Sequence, residues 1–334
     1  MSNETSPTDM SGSEAVRGNG VRDTVLVTGS TAIDQTGYYD GSFETYQSQY
    51  RINALNMSFQ LGRLQTSFGG CAPNIAYGLT RLGVPVIPLS SAGRNFRDRY
   101  QAHLESAGIS TDYIAIDETV ENCASCMMVN DNHGNQIIAF YPGPGAELRS
   151  LPSQIPAISR VGLAILGPEE PDLTLRQARD LAPLDIPIMF DPGQVVTAFE
   201  AAHITEMLEI ADVLIVNDYE HSVICANAGL QPADIESLVT EVVVTHGGKG
   251  VEVISRGQRT RVAAVPDVKI VDVTGSGDAF RAGYAYGVLK GLGARQRAEI
   301  GCILAALNLG GPHTQTYDAN LEQVLNIQRQ VYGD

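Results

Sequence analysis

The chain has 334 residues, of which 43% are hydrophobic, so it can bury a sizeable core as one large domain or as a domain with an appendage. Its formal net charge of -16, with no basic stripe, argues against a nucleic-acid-binding surface. No apolar run reaches the roughly 20 residues that a membrane-spanning helix needs.

The N-terminal segment, residues 1–22, is polar and has no hydrophobic stretch. We therefore expect a disordered leader and not a secretory signal peptide, followed by a single domain over residues 23–334. Five cysteines stand at positions 71, 123, 126, 225 and 302, without a second cysteine pair or a histidine pair at metal-ligand spacing. We interpret them as reduced thiols of a cytoplasmic protein.

The first predicted element is a buried strand over 24–29, where a short apolar run ends in glycine. Aromatic and polar residues then alternate over 38–68, which predicts a small, partly exposed sheet. Residues 124–129 and 136–141 flank a turn-rich stretch and predict a hairpin. We name the segments at about 36–68 and 123–141 the lid.

Strands and helices alternate through the rest of the chain. We predict helices over 72–82, 98–107, 172–182, 198–209 and 232–239, strands over 84–90, 161–166, 187–190, 213–216 and 242–245, and a hairpin of 251–254 with 259–265. This alternation predicts an α/β protein with a mostly parallel sheet covered by helices on both faces. Ligands are then expected at the carboxyl ends of the strands.

A glycine-rich turn opens an apolar helix at residues 272–280, DVTGSGDAF. Outward amides of Gly275, Ser276 and Gly277, together with the helix N-terminus, make a cradle for a phosphate. Because the charge of Asp278 repels phosphate, we interpret Asp278 as the group that accepts a proton from an attacking hydroxyl. We expect the helix N-terminus to lower the pKa of Asp278 below its usual value of about 3.9. The turn alone is also typical of an ordinary Asp-capped helix start.

Three motifs resemble those of the ribokinase-like (PfkB) family of sugar and nucleoside kinases, and the resemblance covers roughly residues 24–330. The glycine-rich turn resembles its C-terminal signature, residues 67–83 its N-terminal signature, and Asn217-Asp218-Tyr219-Glu220 its Asn-x-x-Glu element. The resemblance implies a ribokinase-like fold with a small β-sheet lid. It also implies phosphoryl transfer from ATP, with Mg²⁺, to a hydroxyl group.

On the acceptor side, the resemblance places Asp34 on sugar hydroxyls and Asn74 at a second ribose-binding position. It implies that Gly69 and Gly70 let the backbone approach the substrate. The family's ribokinases carry a lysine after these glycines, whereas Cys71 stands there in this chain, which disfavours free ribose.

The run Phe140-Tyr141-Pro142-Gly143 is similar to one in bacterial adenosine kinases of the family, where the phenylalanine lies against the purine. Residues 191–194 and Arg281 are also similar to those enzymes. The resemblance therefore implies that Phe140 stacks on a base. A lone aromatic residue at the end of a strand is otherwise typical of a core position.

On the nucleotide side, the resemblance implies that Asn217 and Glu220 lie near the phosphates, with Glu220 acting on Mg²⁺ indirectly through water. Residues 245–250 resemble a loop that lines the ATP phosphates, which implicates Thr245, Gly247 and Gly250. Asn308 begins a stretch, 308–315, that matches the region flanking adenine.

These features favour an ATP-dependent nucleoside kinase that acts on a 5′-hydroxyl, with adenosine as the first candidate substrate. The alternatives are a sugar kinase of the ribose or fructose type in the same family, and a catalytically inactive nucleotide sensor. The intact Asp278 disfavours the sensor. Exposed edges of a small sheet favour pairing, so we expect a homodimer through the lid.

Overall fold

The computed structural model describes residues 21–45, 58–133, 135–145 and 148–333. The strands in these residues are β1 (Thr24–Thr28), β2 (Ala32–Tyr39), β3 (Arg63–Gly69), β4 (Val86–Gly93), β5 (Ile114–Asp117), β6 (Ser125–Asp131), β7 (Gln136–Tyr141), β8 (Val161–Leu166), β9 (Ile188–Phe190), β10 (Val213–Asn217), β11 (Glu241–Thr245), β12 (Val251–Ser255) and β13 (Gln258–Val262). The α-helices are α1 (Cys71–Arg81), α2 (Tyr100–Ser106), α3 (Pro171–Leu181), α4 (Ala201–Ile210), α5 (Asp218–Ala228), α6 (Pro232–Leu238), α7 (Ser276–Leu289), α8 (Ala294–Leu309) and α9 (Leu321–Tyr332).

Nine strands form the main sheet, in the order β13-β12-β11-β10-β9-β8-β1-β4-β5. The pairs from β11 to β5 are all parallel, whereas β12 and β13 add an antiparallel hairpin at one edge. The predicted α/β fold with a mostly parallel sheet is therefore confirmed. Parallel strands all present their carboxyl ends at the same edge of the sheet, and this edge holds the site described below.

The main sheet is buried on both faces, as its apolar strands require. Alternate side chains of β1 enter different layers: Val25 and Val27 pack into the core that contains α1, α2, α7 and α8, and Leu26 packs into the core beneath α3 to α6. All three side chains are fully buried. This is why β1 is a continuous apolar run with no alternation of polar residues.

The lid is a separate four-stranded sheet, in the order β3-β2-β6-β7. The predicted small sheet and its β6–β7 hairpin are confirmed. The lid begins earlier than predicted, at Ala32, because β2 pairs with β3 on one side and β6 on the other. Asp34 consequently lies within a strand, opposite Ser67, and not in the loop after β1. The predicted leader up to residue 20 and the lid residues 46–57 lie outside the described residues.

Strand β5 and helices α5, α8 and α9 were not predicted, whereas the boundaries of the predicted helices differ by a few residues. The largest difference is at α4, which begins at Ala201 because residues Gly193–Ala198 form a 3-10 helix. In the part of the chain that the structure describes, no helix is both long and apolar enough to cross a bilayer.

Candidate active site

Two cavities open at the carboxyl edge of the main sheet and share Gly277 in their walls. The lid cavity, about 350 Å³ in volume, lies between the lid and the start of α7. The apolar cavity, about 430 Å³ in volume, lies on the other side of the glycine-rich turn. Polar residues that follow the parallel strands, among them Asp191 after β9 and Asn217 at the end of β10, line the lid cavity.

The glycine-rich turn separates the two cavities. Gly275 adopts the left-handed conformation with φ of 71°, and a Cβ at this position would collide with Thr314. Helix α7 begins at the next residue, Ser276. The backbone amides of a first helical turn have no partner within the helix, so they are available to an anion. The amide of Ser276 also makes a long bond, 3.4 Å, to the Val273 carbonyl.

Asp278 lies at the wall of the lid cavity, in the first turn of α7. Its Oδ2 accepts a hydrogen bond from Nδ2 of Asn74 at 2.8 Å. Burial raises the pKa of Asp278 to about 6, although Asn74, Arg281 and the Cys71 thiol oppose the shift. The predicted lowering of this pKa is therefore wrong, because desolvation outweighs the helix N-terminus and the donors. A carboxylate with a raised pKa is a stronger proton acceptor.

Beneath Asp278, Arg281 carries a buried positive charge. Its Nη2 donates to Asp191 at 2.7 Å, its Nε also contacts Asp191, and Nη2 lies 3.8 Å from Glu220. Burial alone would lower the pKa of Arg281, but the charges of Asp191, Glu220 and Asp278 raise it, so the guanidinium stays charged. This cation brings positive charge to a cavity whose other charged side chains are carboxylates.

The lid supplies the opposite wall of the cavity through Asp34 and Phe140. Asp34 accepts a hydrogen bond from the amide of Cys126 at 2.8 Å, and burial raises its pKa to about 6. A Cβ at Gly69 would displace the Asp34 carboxylate from its present position. The Phe140 side chain is 49% exposed and faces the cavity, so it is not a core residue.

Asp131, a second buried carboxylate of the lid, has more hydrogen-bond donors from the protein than Asp34 has. Asp131 accepts hydrogen bonds from the amides of Phe43, His133 and Asn135 and from the Asn135 side chain. Burial would raise the pKa of Asp131, but these donors hold it well below its usual range. Asp131 is therefore satisfied by the protein itself, whereas Asp34 retains lone pairs for a ligand.

Asn74 lines the lid cavity, as predicted, but its side chain is engaged with the protein. Besides donating to Asp278, it accepts a hydrogen bond from Nε2 of Gln315 at 2.7 Å. Gly70, the residue before α1, also lines the cavity, whereas Gly69 contributes by leaving room for Asp34.

The apolar cavity contains the other predicted nucleotide residues, Thr245, Gly247 and Gly250. Its remaining walls are mostly aliphatic and come from the loop before α7 and from α8: Val265, Val268, Ile270, Val273, Ala305, Ala306 and Leu309. Such walls fit a flat heterocycle. The side chain of Asn308 instead donates to the Thr274 carbonyl at 2.8 Å and braces the turn from behind. Its contact with a cofactor stays a prediction.

The candidate residue for a role toward a metal ion at this site is Glu220. Among the described residues, no group of three or more histidine, cysteine, aspartate or glutamate side chains is placed to bind a metal. Glu220 caps helix α5, where its carboxylate accepts from the Asn217 amide at 2.8 Å. Glu220 also lines the lid cavity. This arrangement fits an indirect role for Glu220, with Mg²⁺ bound mainly by phosphate and water oxygens.

Two parts of the site were not predicted from the sequence. Arg281, in α7, contacts Asp191, which follows β9; both residues belong to motifs recognised in the sequence, but nothing in those motifs indicates that they meet. Gln315 was assigned to the stretch that flanks adenine, yet it lies against Asn74 and Tyr100. No pattern in the sequence indicates that contact, because its partners are far apart in the chain.

Comparison with known proteins assigns the chain to a family. The sequence matches the pfkB family of carbohydrate kinases over residues 22–320. A nucleoside kinase of Methanothermobacter thermautotrophicus is 26% identical over 262 residues, which span 78% of this chain and 84% of the relative.

Solved structures agree with this match. A nucleoside kinase of Burkholderia thailandensis in complex with inosine is 28% identical, with a TM-score of 0.83 over 93% of this chain and 99% of that one. The same enzyme has been solved with ADP-inosine. The nucleoside kinase of Methanocaldococcus jannaschii, 23% identical, shares the fold with a TM-score of 0.82 over 93% of this chain and 99% of that one. The chain therefore belongs to the pfkB family of carbohydrate kinases, whose members are phosphotransferases with a ribokinase-like fold.

Proposed function

We propose that this protein transfers the γ-phosphoryl group of ATP to the 5′-hydroxyl of a purine nucleoside, with adenosine as the first candidate. The observation that carries the proposal is the composition of the lid cavity. A half-exposed aromatic ring, Phe140, lies in the same cavity as a hydroxyl-binding carboxylate, Asp34, and a proton acceptor, Asp278. A nucleoside has a flat base, vicinal hydroxyls and a primary hydroxyl to match these three groups. The nucleoside kinases similar to this chain support the proposal.

The apolar cavity takes the ATP in this proposal. Aliphatic walls would hold the adenine, and Thr245, Gly247 and Gly250 would line the phosphates. The γ-phosphate would then lie at the amides of Gly275, Ser276 and Gly277, which stabilise the charge of the transferring group without rearrangement. Mg²⁺ neutralises phosphate charge when it is bound, and Asn217 and Glu220 would orient its water ligands. Asp278 would accept the proton of the 5′-hydroxyl as the new O–P bond forms and the bond from the γ-phosphorus to the β–γ bridging oxygen breaks, which releases ADP.

Ribose recognition is assigned to the lid side of the cavity. Asp34 would accept hydrogen bonds from the vicinal hydroxyls, and the backbone at Gly69 and Gly70 would approach the sugar closely. Asn74 keeps one amide proton that Asp278 does not use, which could reach a ribose hydroxyl.

The proposal is tested by a panel of nucleosides and free sugars assayed with ATP and Mg²⁺. Adenosine should have the highest kcat/KM, and the product should carry phosphate on the 5′ oxygen, as ³¹P NMR can show. A higher kcat/KM for inosine or guanosine would change the base but keep the reaction. A higher kcat/KM for ribose or fructose than for every nucleoside would replace the proposal by the sugar-kinase alternative.

We also propose that the enzyme forms a homodimer through the lid and works in the cytoplasm. The edge strands β3 and β7 carry exposed apolar side chains, among them Leu64 and Ile138, which are 63% and 56% exposed. All five cysteines are free thiols, as a reducing compartment would keep them. Replacement of Ile138 by lysine should convert a dimer to a monomer in sedimentation experiments, and an unchanged mass would argue against the lid interface.

A further inference from the structure

The catalytic carboxylate is connected to a chain of buried polar side chains on the far side of α1. Tyr100 donates its hydroxyl proton to the Gly69 carbonyl at 2.7 Å. Nε2 of Gln315 donates to the Tyr100 oxygen and to Oδ1 of Asn74, each at 2.7 Å. Asn74 in turn donates to Asp278 at 2.8 Å. These hydrogen bonds therefore connect the backbone of the lid, at Gly69, to the carboxylate of Asp278.

The Gly69 carbonyl fixes the direction of every hydrogen bond in this series. A carbonyl can only accept, so the single proton of Tyr100 is committed to Gly69. Tyr100 must then accept from Gln315, which therefore presents its NH₂ group to both Tyr100 and Asn74. Because Asn74 turns its oxygen toward Gln315, its NH₂ group must face Asp278.

A histidine on α2 sets the same orientation from the other end of Gln315. Nε2 of His103 lies 3.1 Å from Oε1 of Gln315. That oxygen only accepts, so the ring proton is on Nε2, and both the neutral and the protonated imidazole can supply it. Burial lowers the pKa of His103, so the ring is neutral at neutral pH. Gln315 is held at its backbone as well, in the left-handed region with φ of 57°.

We propose that Gln315, oriented by Tyr100, is a positioning residue for phosphoryl transfer: it holds the Asn74 amide so that it donates to Oδ2 of Asp278 and keeps the carboxylate charged and in place to receive the substrate proton. The inference rests on the proposed role of Asp278 as the base. Without the bond from Gln315 the Asn74 amide can rotate and present its oxygen to Asp278, where two acceptors repel. The carboxylate would then lose a donor that favours its charged form.

The test is the pH dependence of kcat at saturating adenosine and ATP for Gln315→Met and Tyr100→Phe. Gln315→Met keeps the length of the side chain and removes its donors. We expect kcat to fall roughly tenfold, with little change in the KM of ATP. The acid limb of the pH profile, where kcat falls because Asp278 becomes protonated, should move up by about one pH unit. Tyr100→Phe should move the limb in the same direction by less, since Gln315 keeps its bond from His103.

The matched control is Tyr77→Phe. Tyr77 lies on α1, is buried, and donates its hydroxyl proton to a backbone carbonyl, that of Tyr317, at 3.0 Å. The same atom is removed in both tyrosine variants, so loss of stability alone affects both. The acid limb of Tyr77→Phe should coincide with that of the wild type.

None of these variants changes the charged or titratable groups that act on Asp278, apart from the neutral Tyr100 hydroxyl. Those groups are Arg281, Asp191, Cys71, Tyr100 and Tyr317. A difference in the limb between variants therefore reports on the hydrogen-bond chain.

Two results would overturn the inference. The first is that Gln315→Met folds, as its melting transition would show, and that its acid limb lies at the same pH as that of the wild type. If Gln315→Met does not fold, equal limbs for Tyr100→Phe and Tyr77→Phe overturn it. Failure of the underlying proposal looks different: Asp278→Asn would keep near-normal turnover, whatever the positioning variants do.

Discussion

The lid cavity and the apolar cavity meet at Gly277, but they are built from opposite kinds of residues. The lid cavity contains the half-buried Asp278 and four buried charged residues, Asp34, Asp191, Glu220 and Arg281. The apolar cavity has no carboxylate and no basic side chain among the described residues of its wall. One cavity can therefore orient hydroxyls and move a proton, and the other can bind a flat ring by its surface. In the proposed function, the groups that act on the acceptor therefore all lie on one side of the glycine-rich turn.

The largest effect is expected for Asp278→Asn, which keeps the size of the side chain and removes its ability to accept a proton. Turnover should fall by roughly 10²–10⁴-fold. The affinity for ATP, measured by calorimetry, should stay near that of the wild type because the cradle is made of backbone amides. Near-normal turnover would show that Asp278 is not the base.

The buried cation of the lid cavity should be needed for stability. Arg281→Met leaves Asp191 buried and unpaired, which should lower the free energy of unfolding by about 3–5 kcal/mol. Burial raises the pKa of Asp191 and the guanidinium opposes this, so its folded-state pKa should rise further in the variant. The loss should therefore be smaller at mildly acidic pH, where Asp191 is protonated, than at neutral pH, as urea titrations can measure.

A matched control for that variant is Arg297→Met. Arg297 pairs with buried Glu241 through both oxygens, at 2.9 and 3.0 Å, away from the two cavities. Arg297→Met should also lower the free energy of unfolding but leave the KM of the nucleoside unchanged, whereas Arg281→Met, in the wall of the lid cavity, should raise that KM. If both arginine variants affect the nucleoside equally, the effect of Arg281 is a general loss of stability and not a property of the lid cavity.

Asp34→Ala separates recognition of the acceptor from the chemical step. A charged acceptor for buried hydroxyls contributes about 1.5–3 kcal/mol, so the KM of adenosine should rise by roughly tenfold to a hundredfold. The KM of ATP should not change, because Asp34 is confined to the lid cavity. Equal losses for both substrates, measured by initial rates, would indicate that Asp34 supports the fold instead.

The apolar cavity is tested by Ala306→Leu. Leucine suits the helix α8 and adds three carbon atoms to the wall of the cavity. The KM of ATP should rise about tenfold, since overpacking by a few carbons costs about 1–3 kcal/mol. The KM of adenosine should stay unchanged. A rise in the KM of adenosine instead would mean that the two cavities have been assigned the wrong way round.

The sequence predicted most strands of the main sheet, because buried parallel strands are short apolar runs that are easy to recognise, but it did not predict β5, α5, α8 or α9. It also located Asp34, Asn74 and Asp278 at one site through their motifs. It did not predict the raised pKa of Asp278, since burial depends on how α1, α7 and the lid close around the carboxyl group. Nor did it predict that Gln315 contacts Asn74, because tertiary packing alone joins those two residues.

The predicted start of the lid, at about residue 36, was too late for a related reason. Residues 32–36 contain no strong strand pattern, and only pairing on both sides makes them part of β2. Likewise, the aliphatic walls of the apolar cavity come from a loop, residues 263–273, whose valines and isoleucine are recognisable as a binding surface only after the loop is placed beside α8.

The measurement that tests the central claim most directly compares the wild type with Phe140→Ala on adenosine and on ribose. A base stacked on Phe140 gains about 0.5–1.5 kcal/mol from ring contact, whereas a free sugar has no flat face to offer. The account predicts that kcat/KM for adenosine falls by about threefold to tenfold in the variant and that any activity on ribose is unchanged. Equal changes for both substrates, or a wild type that prefers ribose, would contradict it.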